Sequence, residues 1–386
     1  MKKIFAFVIL CLLYSYLIAF EGGGLFSSSF SFDIGTPKKT GNPSFFYNVN
    51  KLSLWAEQNL DKEAFYNFSV QGSAYVKIRK LLSPNGKRAI AKFILDIDLL
   101  KFSFFIPINK NSNLSLDIGR RGAIDSTGII LSQYLDGLFL QYKSPHFSFL
   151  ASFASTYLLN AHTVALNEKD YKVSKYIYAL PKSYIGMMTL FHLPILKSSY
   201  SIDIDTINFF ETKKNGNIKL YVTTAIQGPI IKRLFFSTSL SGSFVREEAK
   251  WNSGILLIGA IAYYFNKYNA KLGLSMQYAQ GGKMSFQPFT MKHISSQFFS
   301  PYTNVWNTGI KASLKPVPEL YISALSNIVC NATKSEGTPF YRGIEWLTSA
   351  NYTIKKDINI EVSFGQFIHK NTYMNTFLTL KGMISF

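Results

Sequence analysis

The sequence has little cysteine and little acid. Of two cysteines in 386 residues, Cys11 lies in an apolar leader, which leaves Cys330 without a partner for an internal disulfide. Asp and Glu number 22 against 41 Lys and Arg, a formal net charge of +19. Such a balance raises nucleic acid as a partner, but the cations are scattered and the leader implies export, so nucleic acid is excluded. Beyond residue 20 no apolar run suffices for a membrane helix. The longest, 255–265, falls well short of about 20 residues. The five histidines, His146, His162, His192, His293 and His369, show no metal-ligand spacing. No Gly-rich phosphate loop leads from a strand into a helix. No metal and no cofactor is expected.

What is present begins with "MKKIFAFVILCLLYSYLIAF" (1–20), two lysines followed by an apolar run, then Glu21 and three glycines. That order is a secretory signal peptide, removed after Ala19 or Phe20; an uncleaved anchor is the alternative. Lipidation at Cys11 is rejected, because Leu10 is not small and the apolar run continues past the cysteine. Residues 21–386 then form one domain, without repeats, linkers or low-complexity tracts. Aromatics make up 16% of the chain, with Phe and Tyr predominating. An exported, aromatic-rich chain of short alternating segments is either a soluble β fold or a transmembrane β-barrel.

Period-two alternation recurs along the chain. In 65–79, Phe68, Val70, Gly72, Ala74, Val76 and Ile78 oppose Ser69, Gln71, Ser73, Tyr75, Lys77 and Arg79. In 217–227, Ile218, Leu220, Val222 and Ile226 oppose Lys219, Tyr221 and Thr223. The last residues, "NTFLTLKGMISF" (375–386), alternate in the same way and stop on Phe386. Connections alternate too. Tight turns at 194–197, 228–231, 266–269, 315–318 and 355–357 separate longer polar stretches at 211–216, 246–253, 280–303, 330–343 and 369–374. Short turns on one side and long loops on the other are the habit of a transmembrane barrel. Counted back from Phe386, the parity continues through inner turns 144–146, 107–111 and 58–64 and outer loops 157–183, 121–135, 80–88 and 36–43. The expected fold is an all-β, antiparallel up-and-down transmembrane barrel of 16–18 strands. Its first strand is expected near 29–35, and 89–106 is either one bulged strand or two short ones. A barrel of that size encloses a lumen too wide for wall side chains to fill. Trp55, Tyr200, Phe265, Tyr278, Trp306 and Trp346 are expected in interfacial girdles.

The leader together with the terminal "LTLKGMISF" resembles bacterial outer-membrane β-barrels. The resemblance implies outer-membrane lipid around the barrel and an assembly machinery that reads the last strand. The Lys-, Phe- and Asn-rich style, with "DIGRRGAIDSTGIILSQYLDGLFLQY" (117–142), resembles porin-like barrels of spirochaetes. It implies a channel for small hydrophilic solutes, a form that often assembles as a homo-oligomer. In the porins it resembles, one long loop narrows the lumen. The stretch 120–137 carries apolar content suited to that role, with an ordinary outer loop as the alternative.

By parity Lys77, Arg79, Arg121, Lys219, Arg233, Lys271, Lys311, Lys315 and Lys381 are expected to line the pore. Asp117, Asp203, Asp205, Glu361, Asp96 and Asp98 stand against them. An excess of positive charge favours anions. The pairs Asp96–Asp98 and Asp203–Asp205 are read as solvated lumen carboxylates rather than a cation site or proton-sharing pair. His192 near Thr189 makes no convincing nucleophile pair, and the chain is not expected to be an enzyme. The expected function is a passive outer-membrane porin with some anion preference. The alternatives are an adhesin using loops 157–183 and 280–303, and a transporter of hydrophobic solutes, which usually needs an N-terminal plug longer than "EGGGLFSSS".

Overall fold

The computed structural model describes residues 21–35, 44–61, 63–82, 89–156, 183–195, 199–213, 216–247, 250–282, 284–290, 302–333, 339–370 and 374–386. The expected leader and most of loop 157–183 lie outside the described residues. The first six strands are β1 (Glu21–Gly35), β2 (Phe45–Asn59), β3 (Tyr66–Leu81), β4 (Ala89–Asn109), β5 (Ser112–Ile124) and β6 (Ser132–Lys143). Next come β7 (Ser148–Ser155), β8 (Tyr184–Ile195), β9 (Tyr200–Glu211), β10 (Ile218–Ile231), β11 (Leu234–Glu247) and β12 (Lys250–Phe265). The last six are β13 (Ala270–Ala279), β14 (Val305–Val317), β15 (Leu320–Cys330), β16 (Tyr341–Lys355), β17 (Ile358–His369) and β18 (Met374–Ser385).

Each strand pairs antiparallel with its sequence neighbours, and β1 also pairs with β18, so the 18-stranded sheet closes on itself. Closure is what hydrocarbon demands, because an open edge would leave N–H and C=O groups unpaired there. The seam includes the last residue. Gly24 N donates to Phe386 O at 2.8 Å, and Phe386 N donates to Gly24 O at 3.0 Å. A Cβ on Gly24 would lie 2.4 Å from the Phe386 ring, so glycine is what lets that ring lie over β1.

The two faces separate by exposure. On β10, Val222 and Ile226 are exposed, while Lys219, Tyr221 and Thr223 are buried. The same phase runs round the barrel through Leu240, Leu257, Leu274, Ile310, Val362 and Leu380, all exposed. The apolar face is therefore the outside, and the polar face surrounds the lumen.

Two expectations change, and the choice left open for 89–106 is settled. The first strand begins at Glu21, not near residue 29. "EGGGLFSSS" belongs to the wall, its glycines and serines carrying almost no alternation to read. Segment 89–106 lies in one long strand whose bulge falls at Asp98, since Gln71 pairs with Leu99 but Gly72 with Ile97. The inner turns after β10 and β14 fall at 232–233 and 318–319. Pro229 and Pro316 sit at register shifts inside the strand ends, where a residue lacking N–H is tolerated. Trp55 also departs from the girdle expectation. It pairs with Gln71 and Gly23, on the lumen parity.

The parity yields a direct test. Leu380→Lys, on the outer face, is expected to cost about 2–4 kcal/mol if it lies near the bilayer midplane. Its neighbour Thr379→Lys, on the lumen face, is expected to cost far less. Denaturant unfolding of both variants in lipid vesicles measures the difference.

Candidate functional site

Loop 125–131, between β5 and β6, is folded around one carboxylate. Asp125 accepts from the backbone N–H of Leu131 at 2.8 Å and of Thr127 at 2.9 Å, and from the Thr127 hydroxyl. Asp125 N donates to Leu131 O at 3.0 Å, which closes the neck of the loop. Gly128, at φ 62°, makes the reversal. Burial pushes the Asp125 carboxyl above the ordinary carboxylate range, opposed by its hydrogen bonds from Thr127 and Leu131. The loop does not stand up into solvent. Ser126 N donates to Asp205 on β9 at 2.7 Å, and Ile129, Ile130 and Leu131 are buried. The expectation that 120–137 turns inward thus has its counterpart in residues 125–131.

The described residues of a second loop, 280–304 between β13 and β14, do the same from the facing wall. Phe286 and Phe289 are fully buried. Gly254 on β12 leaves room for this, since a Cβ there would lie 2.3 Å from Phe286 N. Phe289 stacks on Phe209 at 4.4 Å and meets Tyr184 edge-on at 5.3 Å. Tyr221 donates its hydroxyl to Gln287 O at 2.9 Å. Thr290 N then donates to Ile130 O at 3.0 Å, joining the two loops inside the barrel. Tyr302, in the returning arm, is pushed up to about 12 by burial. The sequence reading made 280–303 an outer loop, and a binding platform only under the adhesin alternative; its described residues near Phe286 and Phe289 turn inward. The signal was present in the aromatics of this stretch, Phe286, Phe289, Phe298, Phe299 and Tyr302.

Both loops pack against β8–β10, and several cations with close partners cluster on another part of the wall. On β2–β5, Lys51 lies 3.6 Å from Asp98, and its Nζ is 4.9 Å from the Tyr75 ring centre. Lys77 stands 5.3 Å from the same ring and is the cross-strand partner of Lys92. Arg79 lies over Phe45 at 3.9 Å. Lys101 is 3.9 Å from Asp117, while Arg121 reaches the same carboxylate at 2.5 Å and lies 5.1 Å from the Phe139 ring. These cations share the lumen parity. Lys51, Lys92 and Lys101 were not singled out from the sequence; the bulge at Asp98 hides the parity of Lys101.

The remaining candidates disperse. Lys271, Lys311 and Lys381 occupy lumen-parity positions on β13, β14 and β18, and Lys381 is paired in register with Glu361 and Ser29. Lys315 falls beside the register shift at the inner end of β14. Lys219 is fully buried under the second loop, 5.3 Å from the Tyr184 ring and 5.6 Å from Phe289. Its ammonium is packed against aromatic faces rather than solvated. Arg233 lies in the β10–β11 turn at φ 73°, off the strand alternation. Neither aspartate pair is free in the lumen. Asp98 accepts from Ser73 and Asp203 meets His192 at 2.6 Å, while Asp205 holds the loop. Thr189 bonds Thr206 on the outer parity, the face of β8 opposite His192.

No known protein family matches the sequence, and no curated protein does. Solved structures do. Over 95% of this chain and 99% of theirs, Pseudomonas aeruginosa OccK7 (OpdD) is similar at TM-score 0.64 and 11% identity. OccK5 (OpdH) of the same organism is similar at TM-score 0.61 and 12% identity, over 95% of this chain and 98% of that one. OccK2 (OpdF), solved in complex with glucuronate, is similar at TM-score 0.59 and 11% identity, over 95% and 96%. At such identities the likeness is one of fold, an 18-stranded barrel traced end to end.

Asp125 makes the loop geometry testable. Asp125→Ala removes the acceptor for two N–H groups and a hydroxyl, each buried donor costing about 1–3 kcal/mol when unpaired. The expected result in planar bilayers is a larger and noisier single-channel current from a barrel that still closes.

Proposed function

We propose that the chain is an outer-membrane porin, exported by a leader removed near residue 20, that passes small anionic solutes by diffusion. The observation that carries this is the asymmetric lumen. Two infolded loops pack against β8–β10, and a run of cations from Arg79 to Arg121 lines β3–β5. The structures it resembles are outer-membrane porins, which supports the reading.

The mechanism needs no tightly bound intermediate. Low-dielectric walls focus the field of the cations into the remaining water, raising the local concentration of anions. The carboxylates Asp98 and Asp117 offset part of that charge, which keeps any one site from holding a solute too long. The loops set the size limit. Glucuronate, the ligand of OccK2, has the chemistry such a lumen favours, one carboxylate on a small polar body. Lys77 and Arg79 stand near the outer rim, where an entering solute meets them first, and Lys311 and Lys381 continue the positive lining elsewhere on the wall. No catalytic group is invoked. An adhesin reading is less well supported, because Phe286 and Phe289, among the described residues of 280–304, point into the barrel rather than toward a partner.

A salt gradient across a planar bilayer tests the charge preference. The wild type is expected to give a reversal potential of anion-selective sign. The preference should weaken as the Debye length falls from about 10 Å at 0.1 M salt to about 3 Å at 1 M. Lys77→Glu with Arg79→Glu should move the potential toward cation selectivity. A cation-selective wild type would contradict the assignment.

A further inference from the structure

The inner mouth holds a cavity that the constriction does not use. It has a volume of about 990 Å³ and lies where β8–β13 meet the short turns. His192, Gln227, Phe235, Ser237, Tyr264 and Lys271 line it, all at lumen-parity positions. Two of them are rings left open to water: Phe235 and Tyr264 are each 42% exposed. They meet edge-to-face at 5.5 Å and 87°. Lys271 Nζ lies 5.0 Å from the centre of the Tyr264 ring. Polar groups surround this platform. Gln227 supplies an amide that both donates and accepts, Ser237 supplies a hydroxyl, and His192 is turned by its 2.6 Å contact with Asp203.

An exposed aromatic face beside one cation and a rim of amide and hydroxyl groups has a specific chemical complement. A pyranose ring presents an apolar C–H face to an aromatic side chain and hydroxyls at its edge. A carboxylate on that ring would meet Lys271. A flat hydrophobic anion would use the rings and the cation but leave the polar rim without partners.

We propose that this inner-mouth cavity is a second binding station for anionic pyranoses, with Phe235 and Tyr264 as the stacking surface and Lys271 as the anion partner. The proposal rests on the channel reading above and deepens it. Conduction through several weak sites lets a solute enter readily and still leave. A station at the inner end takes over a solute released from the constriction and bridges the remaining path to the short-turn side.

The test uses the full barrel in a planar bilayer, with glucuronate or its open-chain counterpart gluconate added to the compartment facing the short turns. The two carry the same charge, but only glucuronate has a ring. Glucuronate is expected to block the current for about fivefold longer than gluconate, the scale of one aromatic contact. Phe235→Leu with Tyr264→Leu should abolish that difference without closing the channel. Lys271→Gln should shorten the blocks by both anions from this side and leave blocks from the opposite side unchanged. Equal dwell times for the two anions on the wild-type barrel would overturn the station while leaving the channel reading intact. A wild-type barrel that never conducts would overturn the channel reading itself.

Discussion

Hydrocarbon offers a backbone amide no partner, and the rest of the molecule follows from that. A strand that crosses lipid must hand every N–H and C=O to a neighbour, so the sheet has no permissible edge. In this chain the condition is met at one seam, where β1 lies between β18 and β2. The seam explains the terminal phenylalanine in structural terms. Its backbone extends the ladder by a reciprocal pair of bonds to Gly24, and its ring occupies the space that a side chain there would fill. Once closure is fixed, alternate residues fall on opposite sides of a single wall. One set meets lipid and the other meets whatever fills the barrel.

What fills it is not water alone. Eighteen strands enclose more space than their side chains occupy, and two loops take up part of the difference. Loop 125–131 is stiffened by the Asp125 carboxylate and moored to Asp205, while loop 280–304 brings Phe286 and Phe289 inside. Their junction at Thr290 and Ile130 makes one internal partition. The partition has an electrostatic effect. It buries Lys219, whereas Lys51, Lys101 and Arg121 on β2–β5 keep part of their side chains exposed.

The wall was largely legible in the sequence because its code is local. Period-two alternation and the short–long order of connections each follow from a constraint that acts residue by residue. The misreadings fall where that code is silent. "EGGGLFSSS" has too few side chains of contrast to show two faces, although it is ordinary β1. The bulge at Asp98 shifts the phase, so the lumen position of Lys101 could not be counted from Lys77. The interior was less legible, since loop docking depends on contacts distant in sequence. Asp125 and Asp205 are 80 positions apart, and nothing local marks Asp205 as a mooring post. Phe286 and Phe289 did carry a signal, as aromatics in a long loop, but their destination is set by Gly254, Phe209 and Tyr221 on other strands.

The central claim is that lipid, and not protein, is the solvent for one parity of every strand. Spin labels placed singly along residues 218–230 of β10, in the barrel reconstituted in vesicles, address it most directly. Collision rates with oxygen, which partitions into lipid, and with a water-soluble nickel chelate report the two environments separately. The account predicts that both rates alternate with a period of two and in opposite phase, with oxygen favoured at Leu220, Val222, Thr224 and Ile226. Rates without alternation, or chelate collisions dominating at those four positions, would contradict it.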